Sequence, residues 1–295
     1  MTHERVRERL EVRKTYKLFI GGAFPRSESG RSYRILDHNG DFLANAAQAS
    51  RKDAREAVVA ARKAFPGWSG ATAYNRGQIL YRVAEILEGR RAQFGDEVAR
   101  SEGLTPGRAA TVVSIAVDRW VHFAGWTDKI AQVAGSANPV AGPYFNLSSP
   151  EPTGVVAILA PQDSSLLGLV TVLAPVLVTG NTAVVLTSEQ RPLPAVSLAE
   201  VLATSDLPAG VVNILTGRTA EVAPWLASHM DVNAIDLAGA GADAALTADL
   251  EVAAADNLKR VRRPDPPGTD YSLVHGHARI LDFTEIKPVW HPIGV

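Results

Sequence analysis

Between residues 155 and 237, short apolar runs alternate with helix-length segments, and this alternation constrains the fold more than any other feature. Val155-Val156-Ala157-Ile158-Leu159, Ala183-Val184-Val185-Leu186, Val211-Val212-Asn213-Ile214-Leu215 and Ala234-Ile235-Asp236-Leu237 have strand length and no regular polar alternation. A strand that is apolar in both directions must be covered on both faces. When helices separate such strands, the arrangement that covers them is a parallel sheet between two helical layers. Segments 166–178, 194–203 and 219–228 supply those helices. An α/β domain follows from pattern alone, and its helix–strand order is Rossmann-like.

Upstream of this block, Lys17 to Asp53 reads as short extended pieces joined by turns. Leu18-Phe19-Ile20 ends in Gly21-Gly22, and Asp37-His38-Asn39-Gly40-Asp41 is rich in residues that tolerate positive φ. Ser50 and Asp53 form a capping-box pair at the head of a helix whose apolar stripe is Ala54, Val58, Ala61 and Phe65. Pro66-Gly67 is expected to end it. A second helix is expected from about Ala73 to Arg91, with Ile79, Val83, Ile86 and Leu87 on one face, and a third over roughly Thr111 to Gly125. From Thr127 to Glu151 the texture changes. Gly135, Pro139, Gly142, Pro143 and Pro150 punctuate strand candidates such as Tyr144-Phe145-Asn146-Leu147, which predicts a protruding hairpin. Ile280 to Trp290 is strand-like. It follows the proline-rich joint Pro264 to Gly268 and is expected to reach away from the main body, where its edges would need a pairing partner.

Composition narrows the class. A chain of 295 residues can bury one large core or two modest ones. Its 30 basic and 31 acidic side chains leave a net charge of -1, so no global field favours nucleic acid or an anionic membrane. The longest apolar stretch, 166–178, falls short of the roughly 20 residues a membrane span needs. Met1-Thr2-His3-Glu4-Arg5 mixes both charge signs and lacks the apolar core of a secretory signal. A soluble, cytoplasmic protein without nucleic-acid or membrane partners is expected. The chain has no cysteine, which excludes disulfides, a thiolate nucleophile and Cys-ligated zinc within it.

Several blocks resemble the aldehyde dehydrogenase superfamily in order and spacing. They are 58–68 (Val58 to Trp68), Arg76-Gly77-Gln78-Ile79-Leu80 with Ala84 to Glu88, Phe123 to Ile130, Leu173-Ala174-Pro175 with Gly180-Asn181-Thr182, and Leu207 to Gly217. Asp256 to Val261 is similar to the segment that runs into the family's Leu-Glu-Leu-Gly-Gly-Lys, which carries the general base. Here Arg262-Arg263-Pro264-Asp265-Pro266-Pro267-Gly268 follow instead. Phe283 to Trp290 then resembles the Tyr-Thr-Glu-Val-Lys-x-Val strand that ends a full-length member. The resemblance implies the nucleotide-binding domain of the aldehyde dehydrogenase fold with a β-strand oligomerisation arm, and no catalytic domain between these two landmarks. It divides the chain into an N-terminal helical part (1–126), an oligomerisation hairpin (127–152), a Rossmann-like nucleotide-binding-type domain (153–263), and a linker with the oligomerisation strand (264–295).

The resemblance also transfers functional positions one by one. Pro161-Gln162-Asp163 stands where the family has Pro-Trp-Asn, whose amide serves the oxyanion hole, and an ionised Asp163 can only accept hydrogen bonds. Leu186, Thr187, Ser188 and Glu189 stand for the ribose-binding Lys-Pro-Ser-Glu. Leu237-Ala238-Gly239-Ala240-Gly241 stands for the Phe-Thr-Gly-Ser-Thr turn that approaches phosphate. The base position falls on Pro264, and the nucleophile has no counterpart. No catalytic residue is assigned. The cofactor-binding candidates are Ser188, Glu189 and Gly239, which implies weak NAD(P) binding at most.

Plainer readings stand beside these. Gly239-Ala240-Gly241 can be a structural turn, since a lone Gly-x-Gly is a weak fingerprint. Glu189 at a strand end can be a solvated cap. His275, His277 and His291 near Asp282 and Glu285 suggest a metal, but a solvated linker explains them without one, and no metal site is assigned. Lys259, Arg260, Arg262 and Arg263 read as a surface basic run. Ser164 or Ser165 as nucleophile lacks a histidine at useful spacing. The function expected is a non-catalytic aldehyde dehydrogenase-like subunit acting in assembly or regulation. It would be a homo- or hetero-oligomer, with a catalytically complete aldehyde dehydrogenase as partner and strand addition as the mode of joining. Two alternatives remain: a residual NAD(P)-dependent aldehyde oxidoreductase completed by a partner chain, and an NAD(P)-sensing module. The core is expected to end before the joint, so that a chain cut after Gly276 still folds.

Overall fold

A computed structural model describes residues 14–294; the expectation for Met1 to Arg5 lies outside the described residues. The described chain opens with a small sheet of β1 (Thr15–Tyr16), β2 (Ser32–Leu36) and β3 (Phe42–Ala47), in which β3 lies between the other two. The turn joining β2 to β3 is the Asp37 cluster. The Asp37 carboxylate accepts from the amides of Asn39 and Asp41, both at 2.8 Å, and Gly40 takes φ 91°.

Helix α1 (Arg51–Ser69) begins with the expected capping box of Ser50 and Asp53. It does not end at Pro66. The proline forfeits one helical donor, but Trp68 is buried in the core and draws the last turn into the helix. The single helix expected over 73–91 ends at Gly89 as α2 (Ala73–Gly89). The chain restarts at once as α3 (Arg91–Glu102), whose core residues Phe94 and Val98 make too thin a stripe to announce a helix. Next, α4 (Pro106–Ala124) starts five residues before the expected point, because Thr105 accepts from the Arg108 amide and Pro106 is preset for the first turn. After the short α5 (Ile130–Ala134) come β4 (Ser136–Asn138) and β5 (Tyr144–Pro152), which form the predicted hairpin.

The remaining elements build the main domain: β6 (Val155–Leu159), α6 (Leu167–Val178), β7 (Thr182–Leu186), α7 (Leu193–Ala203), β8 (Val212–Leu215), α8 (Thr219–Ser228), β9 (Ala234–Asp236), α9 (Ala244–Ala255) and β10 (Arg260–Arg262). The sheet is parallel throughout, in the order β10-β9-β6-β7-β8. Alternate strand residues feed two cores. Val156, Ile158, Ala183 and Val185 join the cluster containing α2, α4, α6 and α7 residues. Val155, Ala157, Leu159, Val184 and Leu186 join the one containing α1, α8 and α9 residues. This two-sided burial is what the uninterrupted apolar runs require. Sequence reading missed α9 because only Leu250 and Ala254 of this alanine-rich helix are buried.

The end of the described chain departs from expectation. Residues 264–283 do not lead away from the body. Tyr271, Ile280 and Phe283 are buried in the larger core, and residues 278–281 form a helical turn, α10 (Ala278–Leu281), instead of the start of a strand. The last strand, β11 (Thr284–Pro292), pairs antiparallel with β5 along its whole length, from Thr284↔Pro152 to Pro292↔Tyr144. The core therefore runs past the joint. A chain ending at Phe283 should keep a cooperative thermal transition by circular dichroism. A chain ending at Gly276 loses Ile280, Phe283 and Arg279, the partner of buried Asp236. Orphaning that carboxylate costs about 3–5 kcal/mol before any lost packing is added, so this shorter chain should show no cooperative melt.

Candidate functional site

The order of strands reverses direction between β6 and β9, and crevices at such points, outside the carboxyl ends of parallel strands, are where α/β sheets hold ligands. A cleft of about 560 Å³ opens there. Its walls are the turn after β6 (161–164), the turn after β9 (238–242), one side of α4, and the joint at 265–272.

Beside the cleft the ends of β6 and β7 close on each other. The Gln162 side-chain amide donates to the Ala160 carbonyl at 2.9 Å, and its oxygen accepts from the Glu189 amide at 2.9 Å. The buried Ser188 hydroxyl donates to the Gln162 carbonyl at 2.8 Å and accepts from the Arg191 amide at 3.2 Å. Both Glu189 oxygens are engaged. One meets the Arg218 guanidinium at 2.6 Å, and the other accepts at 3.0 Å from the amide of Thr219, the first residue of α8. Glu189 thus caps α8, where a carboxylate offsets the positive end of the helix. Asp163 points its carboxylate into solvent, 3.7 Å from Arg191. The turn carrying Ser188 and Glu189 after β7 thus closes on Gln162 in the turn after β6, and the Ser188 hydroxyl and both Glu189 carboxylate oxygens are bonded inside the chain.

Gly239 lies on the other side of β6. Its amide donates to the Leu159 carbonyl at 2.8 Å, and a Cβ built on it would stand 2.0 Å from the Ala160 oxygen. Close approach of two strand ends requires the glycine, without reference to any phosphate. The next helix, α9, starts at Asp243, whose carboxylate accepts from the Leu246 amide at 2.9 Å. A helix N-terminus favours an anion, and here the chain supplies its own. Sequence reading could have found this cap, because Asp243 precedes Leu246 and Leu250 at helical spacing.

Under the joint lies a buried ionic cluster that sequence reading did not single out. Asp236, at the end of β9, is fully buried and meets Arg279 of α10. Arg279 also grips both oxygens of Asp265, at 2.8 and 2.6 Å. Arg262 meets Asp265 at 2.9 Å, Asp282 at 2.7 Å and Asp236 at 4.0 Å. Burial pushes the Asp236 carboxyl up, while Arg279 and Arg262 pull it down. Burial and then the Asp265 charge also push up the Tyr271 hydroxyl, which donates to Asp265 at 3.1 Å. The signal in the sequence was an aspartate inside an otherwise apolar strand run.

This cluster corrects the expectation of a surface basic run. Lys259 is buried and Arg262 is locked by carboxylates, while Arg260 and Arg263 lie outside on Glu285 and Glu251. The histidines are dispersed as well. His275 packs edge-on against His122, His277 lies against Trp126 at 5.0 Å between ring centres, and His291 sits in β11 opposite Phe145. Among the described residues no group of three His, Cys, Asp or Glu could hold a metal, and no helix is long and apolar enough to cross a membrane. The Ser164 hydroxyl accepts from the Gly168 amide at the start of α6, and the Ser165 hydroxyl donates to Glu102 at 2.6 Å.

Comparison with known proteins bears on this geometry. A sequence model of the aldehyde dehydrogenase family matches residues 25–263. Cytosolic 10-formyltetrahydrofolate dehydrogenase of Mus musculus is 34% identical over 248 residues, covering 80% of this chain and 27% of that protein. Putative aldehyde dehydrogenase DhaS of Bacillus subtilis is 32% identical over 266 residues, covering 87% of this chain and 52% of that one. An NAD+ complex of aldehyde dehydrogenase from Bacillus cereus is similar with TM-score 0.79 at 28% identity, covering 84% of this chain and 50% of its own. The chain thus spans about half the length, or less, of the relatives it matches.

If Gly239 is required by backbone packing, its replacement should destabilise the protein with no nucleotide present. Gly239→Ala is expected to lower the urea-unfolding free energy by about 1–3 kcal/mol, while Gly276→Ala, with open space around it, should be nearly neutral. Equal stability of the two variants would return Gly239 to the list of ligand-facing positions.

Proposed function

The chain belongs to the aldehyde dehydrogenase family, and we propose that it serves there as a non-catalytic subunit acting in assembly or regulation. Its partner in this reading is a catalytically complete aldehyde dehydrogenase, with a second copy of itself as the other form of oligomer. One observation carries the proposal. Where the resemblance puts the oxyanion donor stands Asp163, a carboxylate that can only accept, and at the ribose positions the Ser188 hydroxyl donates to the Gln162 carbonyl while both Glu189 oxygens are held by Arg218 and the Thr219 amide. The lack of any cysteine in the sequence agrees with it. A cytoplasmic setting goes with the proposal, in line with a relative named as cytosolic.

Within this reading, the hairpin of 127–152 and the strand β11 at the end of 264–295 are the assembly device. Their geometry favours docking by faces over strand addition. Ile293 donates to the Pro143 carbonyl, and Thr153 to the Phe283 carbonyl, so odd-numbered residues of β11 address β5 and even-numbered ones address the open edge. Pro288 and Pro292 fall on that open edge. By the same alternation Pro150 and Pro152 of β5 address the opposite edge, beyond the reach of β4. Proline has no donor to offer a neighbouring strand, so both edges are blunted. On one face, exposed Phe145, Leu147, Val289 and Ile293 form an apolar surface with Ala137.

A second reading, an NAD(P)-sensing module with Ser188, Glu189 and Gly239 near the ligand, draws on the position of the cleft at the strand reversal and on the NAD+-bound Bacillus cereus neighbour. Calorimetry separates the two. NAD+ and NADP+ should show no tight binding, and a low-micromolar dissociation constant would put sensing first. The purified chain should also neither oxidise simple aldehydes with NAD+ nor hydrolyse esters; turnover that survives removal of contaminating dehydrogenases ends the non-catalytic proposal. For assembly, Phe145→Asp with Val289→Asp should lower the mass measured by light scattering, whereas Pro288→Val should leave it unchanged. The reverse pattern would show that the edge, not the face, joins the subunits.

A further inference from the structure

Of the asparagines in the sequence, only Asn39 is followed by a glycine. The pair stands at the tip of the β2–β3 hairpin, in the loop His38-Asn39-Gly40, which is closed by the Asp37 amide donating to the Asp41 carbonyl at 2.8 Å. Asn39 and Gly40 are both exposed, and a Cβ built on Gly40 would meet nothing within 4 Å. The Asn39 backbone amide donates to Asp37, but its side-chain carboxamide has no hydrogen-bond partner among the described residues. By contrast, Asn181 donates to the Phe283 carbonyl and Asn213 to the Gly210 carbonyl, each at 2.8 Å, and both side chains are fully buried.

We infer that Asn39 is a site of self-modification, where the chain converts its own asparagine to isoaspartate and aspartate. A carboxamide carbon is electrophilic, and asparagine is among the chemically labile residues. The backbone nitrogen of the following residue can close a five-membered ring on that carbon, and a glycine places no side chain in the way. Hydroxide removes the Gly40 N–H proton, the nitrogen bonds to Asn39 Cγ, and Nδ2 takes a proton from water and leaves as ammonia. Water then adds to either carbonyl of the succinimide. Breaking the bond from the Gly40 nitrogen to Cγ gives aspartate. Breaking the bond from that nitrogen to the backbone carbonyl carbon of residue 39 gives isoaspartate, in which the chain runs through Cβ and Cγ. In the folded turn the Gly40 amide donates to the Asp37 carbonyl at 3.0 Å, so the reaction proceeds when this exposed bond opens. The isoaspartate product cannot keep the turn. The Asp37 carboxylate accepts from the Asn39 and Asp41 amides, each at 2.8 Å, and a lengthened backbone with a new carboxylate between Asp37 and Asp41 breaks that arrangement. The reaction belongs to the turn itself and does not depend on whether the chain is catalytic.

Peptide mass spectrometry on the full chain, kept folded in mildly alkaline buffer and sampled over time, tests the inference. The peptide carrying residue 39 should gain the mass of an amide-to-acid exchange at least about tenfold faster than the peptides carrying Asn181 and Asn213, whose carboxamides are reached only by larger openings. Isoaspartate should be present in the product, detected by an isoaspartate-specific methyltransferase, and the Asn39→Gln variant should show neither change. Chain enriched in isoaspartate should lose amide protection over residues 37–41 in hydrogen exchange. If the residue-39 peptide converts no faster than the other two, the site is inert and the inference fails. An acid form without isoaspartate would mean direct hydrolysis and overturn the ring-closing route. Signal that persists in Asn39→Gln would place the reaction elsewhere, and unchanged protection over 37–41 would show that the turn survives it.

Discussion

A carboxylate placed at the floor of a parallel sheet sets the terms for everything that follows it in the chain. Asp236 is fully buried in the second strand from the sheet edge, and a buried charge is tolerable only when paired and hydrogen-bonded. Its partner, Arg279, comes from 43 residues further along. To deliver that guanidinium, the chain must complete α9, add β10 at the sheet edge, turn through the prolines and fold back over the strand ends. Once Arg279 is seated, Ile280 and Phe283 fall into the core, and Thr284 emerges where it can pair with β5. The arm sheet is positioned by the same contact that neutralises the sheet.

At the candidate site, the polar side chains beside the crevice have partners within the chain. The fold keeps the crevice that strand reversal creates, and it keeps a glycine turn and a helix start beside it. Each also makes an internal contact: Glu189 with α8 and Arg218, Ser188 with the Gln162 carbonyl, the α9 terminus with Asp243, and Gly239 with the Ala160 carbonyl. Satisfied groups of this kind contribute stability where they would otherwise wait for a ligand.

Much of this was legible in the sequence wherever one period or one cap decided the outcome. The apolar runs of β6 to β9 and the Ser50–Asp53 box were readable because burial on both faces and an orphan helix amide each leave a local mark. The α3 and α9 helices were not, since their buried positions are few and propensity rather than periodicity sustains them. Pro66 misled because Trp68 outweighs one lost donor. The candidates Ser188, Glu189 and Gly239 came from the resemblance, but the groups that contact them, Gln162, Arg218 and Ala160, belong to other segments and leave no local trace. The Asp236–Arg279 pair was invisible for the same reason: only the fold brings it together.

The four prolines on the edges of the arm sheet bear on how large an assembly can grow. A strand edge with free donors and acceptors is a template that copies itself, and a chain joined through it can keep adding members until it becomes a fibre. Contacts made through a face are consumed once they form, and a patch that pairs with itself closes a two-fold dimer. In the proposed assembly, Pro150, Pro152, Pro288 and Pro292 would therefore limit stoichiometry. They let the chain expose Phe145, Leu147 and Trp290 beside strand edges that are poor templates for runaway polymerisation.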